Sequence, residues 1–116
     1  MMFICYPKCT TCVKAKKWLD EHGFSYNTRH IKEDKPTVAE IKHWHEKSGV
    51  PLKKFFNTSG LVYKQLNLKD KLPTMSEDEL YNLLATDGML VKRPLLITEQ
   101  SIFIGFKEKE WEILLK

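Results

Sequence analysis

Cys9 and Cys12 stand three residues apart in the run Tyr6-Pro7-Lys8-Cys9-Thr10-Thr11-Cys12-Val13-Lys14-Ala15-Lys16-Lys17, where a short apolar stretch gives way to a helical pattern. The spacing predicts Cys9 at a helix N-terminus, where unpaired N–H groups and the helix dipole favour a thiolate over a thiol. Lys8, Lys14, Lys16 and Lys17 add positive charge, and no Asp or Glu precedes Asp20. An ordinary thiol titrates near ~8.5 and falls to roughly 3.5–7.5 in such surroundings. Cys9 is therefore the candidate nucleophile. Cys12, one turn further on, is placed to close a disulfide with it.

Two other roles compete for a Cys-x-x-Cys pair. Tetrahedral zinc needs two further ligands, and the chain offers only Cys5 and four scattered histidines. His43 and His45, two apart on an expected helix, point in different directions. A pair of inert buried thiols is the second alternative. The basic, acid-free setting favours redox or nucleophilic chemistry over both, and no metal site is expected. Cys5, on the preceding apolar run, reads as a small core residue.

The thiols need a scaffold, and 116 residues suffice for one core but not for two ordinary domains. The opening Met1-Met2-Phe3-Ile4-Cys5 is far too short to span a membrane, and no signal-peptide pattern is visible. The expected compartment is the reducing cytoplasm, where a thiol pair serves catalysis or sensing rather than stapling. The net charge of +4 comes from 19 basic residues, of which only Arg29 and Arg93 are arginines. Acidic residues are interspersed after position 20, which describes a solvated surface and argues against direct nucleic-acid binding.

Met2 to Tyr6 reads as a buried strand, Thr10 to His22 as a helix stopped by Gly23, and Ser25 to Ile31 as a second strand. The short connections imply a right-handed parallel unit. Thr37 with Glu40 forms a capping box ahead of the Val38, Ile41, Trp44 stripe, and Gly49 with Pro51 ends that helix. Ser76 with Glu79 forms a second box, and Met75 and Leu80 stand at hydrophobic-staple spacing. Short helices are expected between, around Phe55-Phe56 and Tyr63 with Leu66. Leu95 to Thr98 and Ile102 to Phe106 read as a hairpin, and Glu108 to Leu115 as a closing helix.

This order, with Cys-x-x-Cys after the first strand and Pro94 immediately before the third, is an α/β thioredoxin-like layout. A single domain over residues 1–116 is expected, with a β-α-β…β-β-α core and an all-helical insertion at about residues 35–88. Three segments make the likeness specific: Tyr6-Pro7-Lys8-Cys9-Thr10-Thr11-Cys12, Phe55-Phe56-Asn57-Thr58-Ser59-Gly60 and Asp87-Gly88-Met89-Leu90-Val91-Lys92-Arg93-Pro94-Leu95. They resemble the ArsC/Spx family, the glutaredoxin-coupled arsenate reductases and their relatives, over essentially the whole chain. The likeness is greatest to the arsenate-reductase-like branch.

The resemblance implies that Cys9 attacks an oxyanion and that three arginines hold the oxyanion and lower the cysteine pKa. Arg93 matches one of them, and its bond to Pro94 is expected to be cis, beside the thiol. A planar guanidinium can hold two oxygens of a tetrahedral oxyanion while stabilising a thiolate. Asn57 stands where the central arginine belongs, and Phe106 or Lys107 where the last belongs. The implied oxyanion-binding set is Thr10, Thr11, Asn57, Arg93 and Lys107, which is poorer in arginine than a reductase of the family.

Cys12 is the second departure from the single-cysteine reductases, since it can resolve an adduct on Cys9 internally. The expected function is a cytosolic thiol oxidoreductase with Cys9 as nucleophile and Cys12 as resolving thiol. Its substrate would be a small oxyanion or a disulfide. No cofactor is expected to be bound; electrons would come from glutathione and glutaredoxin, or from thioredoxin. The pair also resembles that of Spx, a redox-responsive regulator that docks on the RNA polymerase alpha subunit. The alternative is therefore a redox-switched transcription regulator, although the chain lacks the long polar tail of that kind.

Overall fold

The sheet is built around a short apolar strand, β1 (Met2–Cys5), whose Phe3, Ile4 and Cys5 are all buried. The computed structural model describes residues 1–115. From β1 the chain turns into α1 (Thr10–Glu21) and returns as β2 (Asn27–His30), parallel to β1 with Met2 beside Asn27 and Cys5 beside His30. Two further strands, β3 (Leu95–Ile97) and β4 (Ile102–Ile104), pair antiparallel with each other. β3 also lies antiparallel to β1, giving the order β2-β1-β3-β4. A parallel strand pair bridged by a helix, continued by an antiparallel hairpin, is a thioredoxin-like arrangement.

Alternation along β1 divides the core in two. Phe3 and Cys5 face one way and pack with Leu96, Phe103, α1 residues Cys12, Ala15, Trp18 and Leu19, and Trp111 of α6 (Glu108–Leu115). Ile4 faces the other way and packs with Leu95 and the apolar faces of the helices between β2 and β3. The sheet thus separates α1 and α6 from a helical layer, and both faces of β1 are covered, as expected of a continuous apolar run.

The layer on the second face begins with α2 (Val38–Ser48). Its N-cap is the expected capping box, with Thr37 accepting from the Glu40 N–H and Glu40 accepting from the Thr37 N–H. Gly49, at φ 69°, supplies the left-handed residue that ends it. A 3-10 turn (Leu52–Phe55), α3 (Leu61–Gln65), α4 (Leu68–Lys71) and a second 3-10 turn (Leu72–Thr74) follow. α5 (Glu77–Thr86) opens with the Ser76–Glu79 capping box, and a last 3-10 turn spans Gly88–Leu90.

One bridge, made by two hydrogen bonds, draws the middle of this layer to the chain that leads into β3. Phe56 forms an isolated bridge with Val91, and the Lys92 N–H donates to the Phe55 carbonyl at 2.7 Å. The Asn57 N–H donates to the Leu90 carbonyl, also at 2.7 Å. The strands are shorter than their sequence patterns: β1 stops at Cys5, and Tyr6 instead enters the turn before α1. Among the described residues, no helix is long and apolar enough to cross a membrane.

Candidate active site

The turn between β1 and α1 places Cys9 by main-chain geometry. Its N–H donates to the Tyr6 carbonyl at 2.9 Å, and its own carbonyl accepts the Val13 N–H at 3.0 Å, the first bond of α1. With φ −84° and ψ 123°, Cys9 is the helix N-cap, and no acidic residue lies in the first turn. Its half-buried sulfur therefore sits at the positive end of α1. Partial burial raises the thiol pKa, but this is outweighed by the Cys12 N–H, the Cys12 thiol, the Thr11 N–H and the Arg93 guanidinium. Together they bring Cys9 below the ordinary thiol range.

Cys12 has the opposite character. Its side chain is 2% exposed, on the α1 face that packs against Phe3, Cys5 and Trp111. Burial pushes its thiol up to about 12, and although the Tyr6 N–H donates to its sulfur at 3.3 Å, charge on Cys9 opposes ionisation further. Cys5 is also buried, and desolvation raises its pKa. All three thiols are free. The site thus holds one acidic, accessible thiol and one protonated thiol turned inward. Among the described residues, no group of three or more His, Cys, Asp or Glu side chains gathers to hold a metal.

Arg93 approaches from the chain before β3, through an Arg93–Pro94 peptide bond that is cis. Its guanidinium carbon lies 5.4 Å from the centre of the Tyr6 ring, over its face. Its one hydrogen bond among the described residues is a long contact of 3.4 Å from Nη1 to the Met89 carbonyl, while the guanidinium helps to lower the Cys9 pKa. Its Nε is buried and has no hydrogen-bond partner among the described residues. The guanidinium therefore retains donor capacity for an anion beside Cys9.

The remaining sequence candidates differ in placement. Thr10 and Thr11 are exposed on the first turn of α1, and the Thr11 N–H interacts with the Cys9 sulfur. Asn57 is a buried polar side chain; its Oδ1 accepts from the Ser59 hydroxyl at 3.3 Å, and its carbonyl accepts the Gly60 N–H at 3.0 Å. A Cβ on Gly60 would come within 2.6 Å of Asn57 Nδ2, so the amide is closely confined. Lys107 is exposed immediately before α6, its carbonyl accepting the Trp111 N–H. Among the described residues, no hydrogen bond or ion pair joins it to Cys9 or Arg93. Phe106 packs edge-on against Trp111 at 4.8 Å and has no polar group to offer.

Tyr6 is the residue that sequence reasoning left as a strand end. Its carbonyl, N–H and ring respectively meet Cys9, Cys12 and Arg93. An aromatic immediately ahead of the Pro-Lys-Cys turn was the available signal.

Comparison with known proteins shows which family this fold belongs to. The Bacillus subtilis protein YusI, which is uncharacterized, is 57% identical over 112 residues, covering 97% of this chain and 95% of that protein. The global transcriptional regulator Spx of Staphylococcus saprophyticus is 32% identical over 105 residues, covering 90% of this chain and 78% of the regulator. A crystal structure of an ArsC family related protein from Bacteroides fragilis superposes with a TM-score of 0.94 at 58% identity, covering 97% and 95% of the two chains. The profile of the ArsC family matches residues 5–114, from the strand that leads into the two thiols through α6, and the chain belongs to that family.

Proposed function

We propose that this protein is a cytoplasmic thiol-dependent oxidoreductase in which Cys9 is the nucleophile and Cys12 the resolving thiol. The observation that carries the reading is the asymmetry of the pair: Cys9 is half-buried with its pKa lowered, and Cys12 is buried with its thiol near 12. The Cys9 thiolate attacks one sulfur of a disulfide RS–SR′, releasing R′S⁻ and leaving a mixed disulfide. Loss of charge from Cys9 removes one of the effects that keep Cys12 protonated. Cys12 then gives up its proton and attacks the Cys9 sulfur, releasing RS⁻ and closing the Cys9–Cys12 bond. Two electrons have passed to the substrate, and glutathione with glutaredoxin, or thioredoxin, returns them.

A small oxyanion is the other substrate class that Arg93 and the α1 N-terminus favour. Arsenate is expected to be a poor one. Asn57 has no positive charge, Lys107 is not drawn to Cys9, and each missing charge-assisted hydrogen bond costs about 1.5–3 kcal/mol. Turnover assays with arsenate and with mixed disulfides, each coupled to glutaredoxin and to thioredoxin, test the proposal. Disulfide reduction abolished in Cys9→Ser, and stalled at a trapped mixed disulfide in Cys12→Ser, is the expected result. Absence of turnover on every substrate would instead favour a second reading, a redox-switched regulator docking on the RNA polymerase alpha subunit. The likeness to Spx supports that reading, and it requires affinity for the partner to change when the Cys9–Cys12 bond forms.

A further inference from the structure

Tyr6 lies between the two thiols and the arginine, and three of its groups are engaged at once. The carbonyl accepts the Cys9 N–H at 2.9 Å, the N–H donates to Cys12 Sγ at 3.3 Å, and the ring face lies under the Arg93 guanidinium at 5.4 Å. The ring is itself braced. His30 meets it edge-on, with centroids 5.7 Å apart and planes at 88°. The His30 ring is fixed in turn by the N–H groups of Lys32 and Glu33, which donate to its Nδ1 at 3.2 and 3.1 Å. β1 and β2 hold the two residues in register, since Cys5 pairs with His30 and the Ile31 N–H donates to the Cys5 carbonyl.

Arg93 has little else to orient it. An arginine side chain carries substantial rotamer freedom, which must be given up to keep the guanidinium at one place. The 3.4 Å contact to the Met89 carbonyl is too long to fix it, and Nε has no partner among the described residues. A cation over an aromatic face is attracted by the ring quadrupole and gains from the exclusion of water on that side.

We propose that Tyr6 is a positioning residue whose ring holds the Arg93 guanidinium against the Cys9 sulfur. The proposal rests on the reading of Cys9 as the reactive thiol and Arg93 as its partner. It assigns the effect to the π face, so the phenolic hydroxyl is dispensable and Tyr6→Phe keeps the function. Tyr6→Leu keeps the main-chain contacts to both cysteines and much of the bulk, but removes the face under the cation.

The pH dependence of Cys9 alkylation, followed by mass spectrometry in the reduced full-length protein, reads the effect. Wild type, Tyr6→Phe, Tyr6→Leu, Arg93→Met and the Tyr6→Leu/Arg93→Met double variant are compared, with thermal unfolding as a folding control. Tyr6→Phe should match wild type, and Tyr6→Leu should lower the thiolate fraction below the midpoint by about two- to fivefold. The double variant should behave as Arg93→Met alone, because the ring acts through the guanidinium. An unchanged Cys9 profile in Tyr6→Leu, or additive losses in the double variant, overturns the proposal while the thiol reading stands. An unchanged profile in Arg93→Met overturns the reading of Arg93 itself, and the proposal with it. Tyr6→Met replaces Tyr6→Leu if the latter fails the folding control, with the same outcomes deciding.

Discussion

Cys9 and Cys12 share one helical turn, but their surroundings give them opposite chemistry. Cys9 ends the turn from β1 at the positive pole of α1, whereas Cys12 lies on the helix face that packs against Phe3 and Trp111. A thiol-selective alkylating agent near pH 6 should therefore modify Cys9 first, with Cys12 at least tenfold slower, as peptide mapping would show. Rapid labelling of Cys12 would reverse the roles. Arg93→Lys should keep a charge but lose the planar fork, raising the Cys9 pKa and weakening oxyanion binding. Full retention of both would leave Arg93 a bystander. The acidity of Cys9 was legible in its spacing from the helix start and in the acid-free residues around it. The depth of Cys12 was not read from the sequence, where its role as a second thiol drew it toward Cys9, although Cys12, Ala15 and Leu19 fall at helical spacing on one stripe. The Tyr6–Arg93 stack was not legible, because it joins residues from opposite ends of the chain that only the pairing of β1 with β3 brings together.

At the scale of elements, the seams between helices and sheet matter more than the helices themselves. Both capping boxes were readable because they are local, an N-cap hydroxyl answered three residues later by a glutamate. The short turns around α3 and α4 were readable only as helical stretches, because their ends depend on special backbone states such as Asn67 at φ 54°. The sharpest seam is Gly88, which opens the turn leading toward Arg93. A Cβ there would lie 1.8 Å from the Ile31 carbonyl oxygen and 2.6 Å from its carbon, so backbone and not a flexible side chain blocks it. Gly88→Ala should force the turn off the end of β2 and cost about 1–3 kcal/mol or more, measured by chemical denaturation. Because the same segment carries Arg93, the variant should also raise the Cys9 pKa. Wild-type stability in Gly88→Ala would mean that the contact relaxes freely. The sequence marked Gly88 as the residue where the apolar face of the second capped helix stops, but not as tighter than the other glycines, because the backbone that crowds it is that of Ile31, far away in the chain.

For the molecule as a whole, the question is what binds the helical layer to the sheet edge. Arg29, read from sequence as one charge among many on a solvated surface, proves to be a tether. Its side chain is 12% exposed, and its guanidinium donates to both carboxylate oxygens of Glu40, Nη1 to Oε2 at 2.6 Å and Nη2 to Oε1 at 2.9 Å. Nε and Nη2 also donate to the Asp34 and Lys35 carbonyls. One residue of β2 thus fixes both the loop that follows it and the first turn of α2. The sequence hid this pairing because Glu40 already had a local explanation as the capping-box acid, and a carboxylate with two oxygens can serve both partners. Arg29 is the main reason that the Glu40 carboxyl falls to about 2, and the Thr37 N–H adds to it. The sign follows from linkage. An unfolded Glu titrates near ~4.3, so between roughly pH 4.5 and 2 the unfolded chain binds more protons than the folded one, and stability falls as pH falls. The contribution is full above the unfolded value and is lost as pH passes down through about 2. Discounted for the partial exposure of Glu40, it amounts to about 1–2 kcal/mol at neutral pH. Urea denaturation of Glu40→Gln should show that deficit at pH 6 and a smaller one at pH 3, narrowing further toward pH 2. An equal deficit at every pH would mean that the tether works through shape and hydrogen bonding alone, without the carboxylate charge.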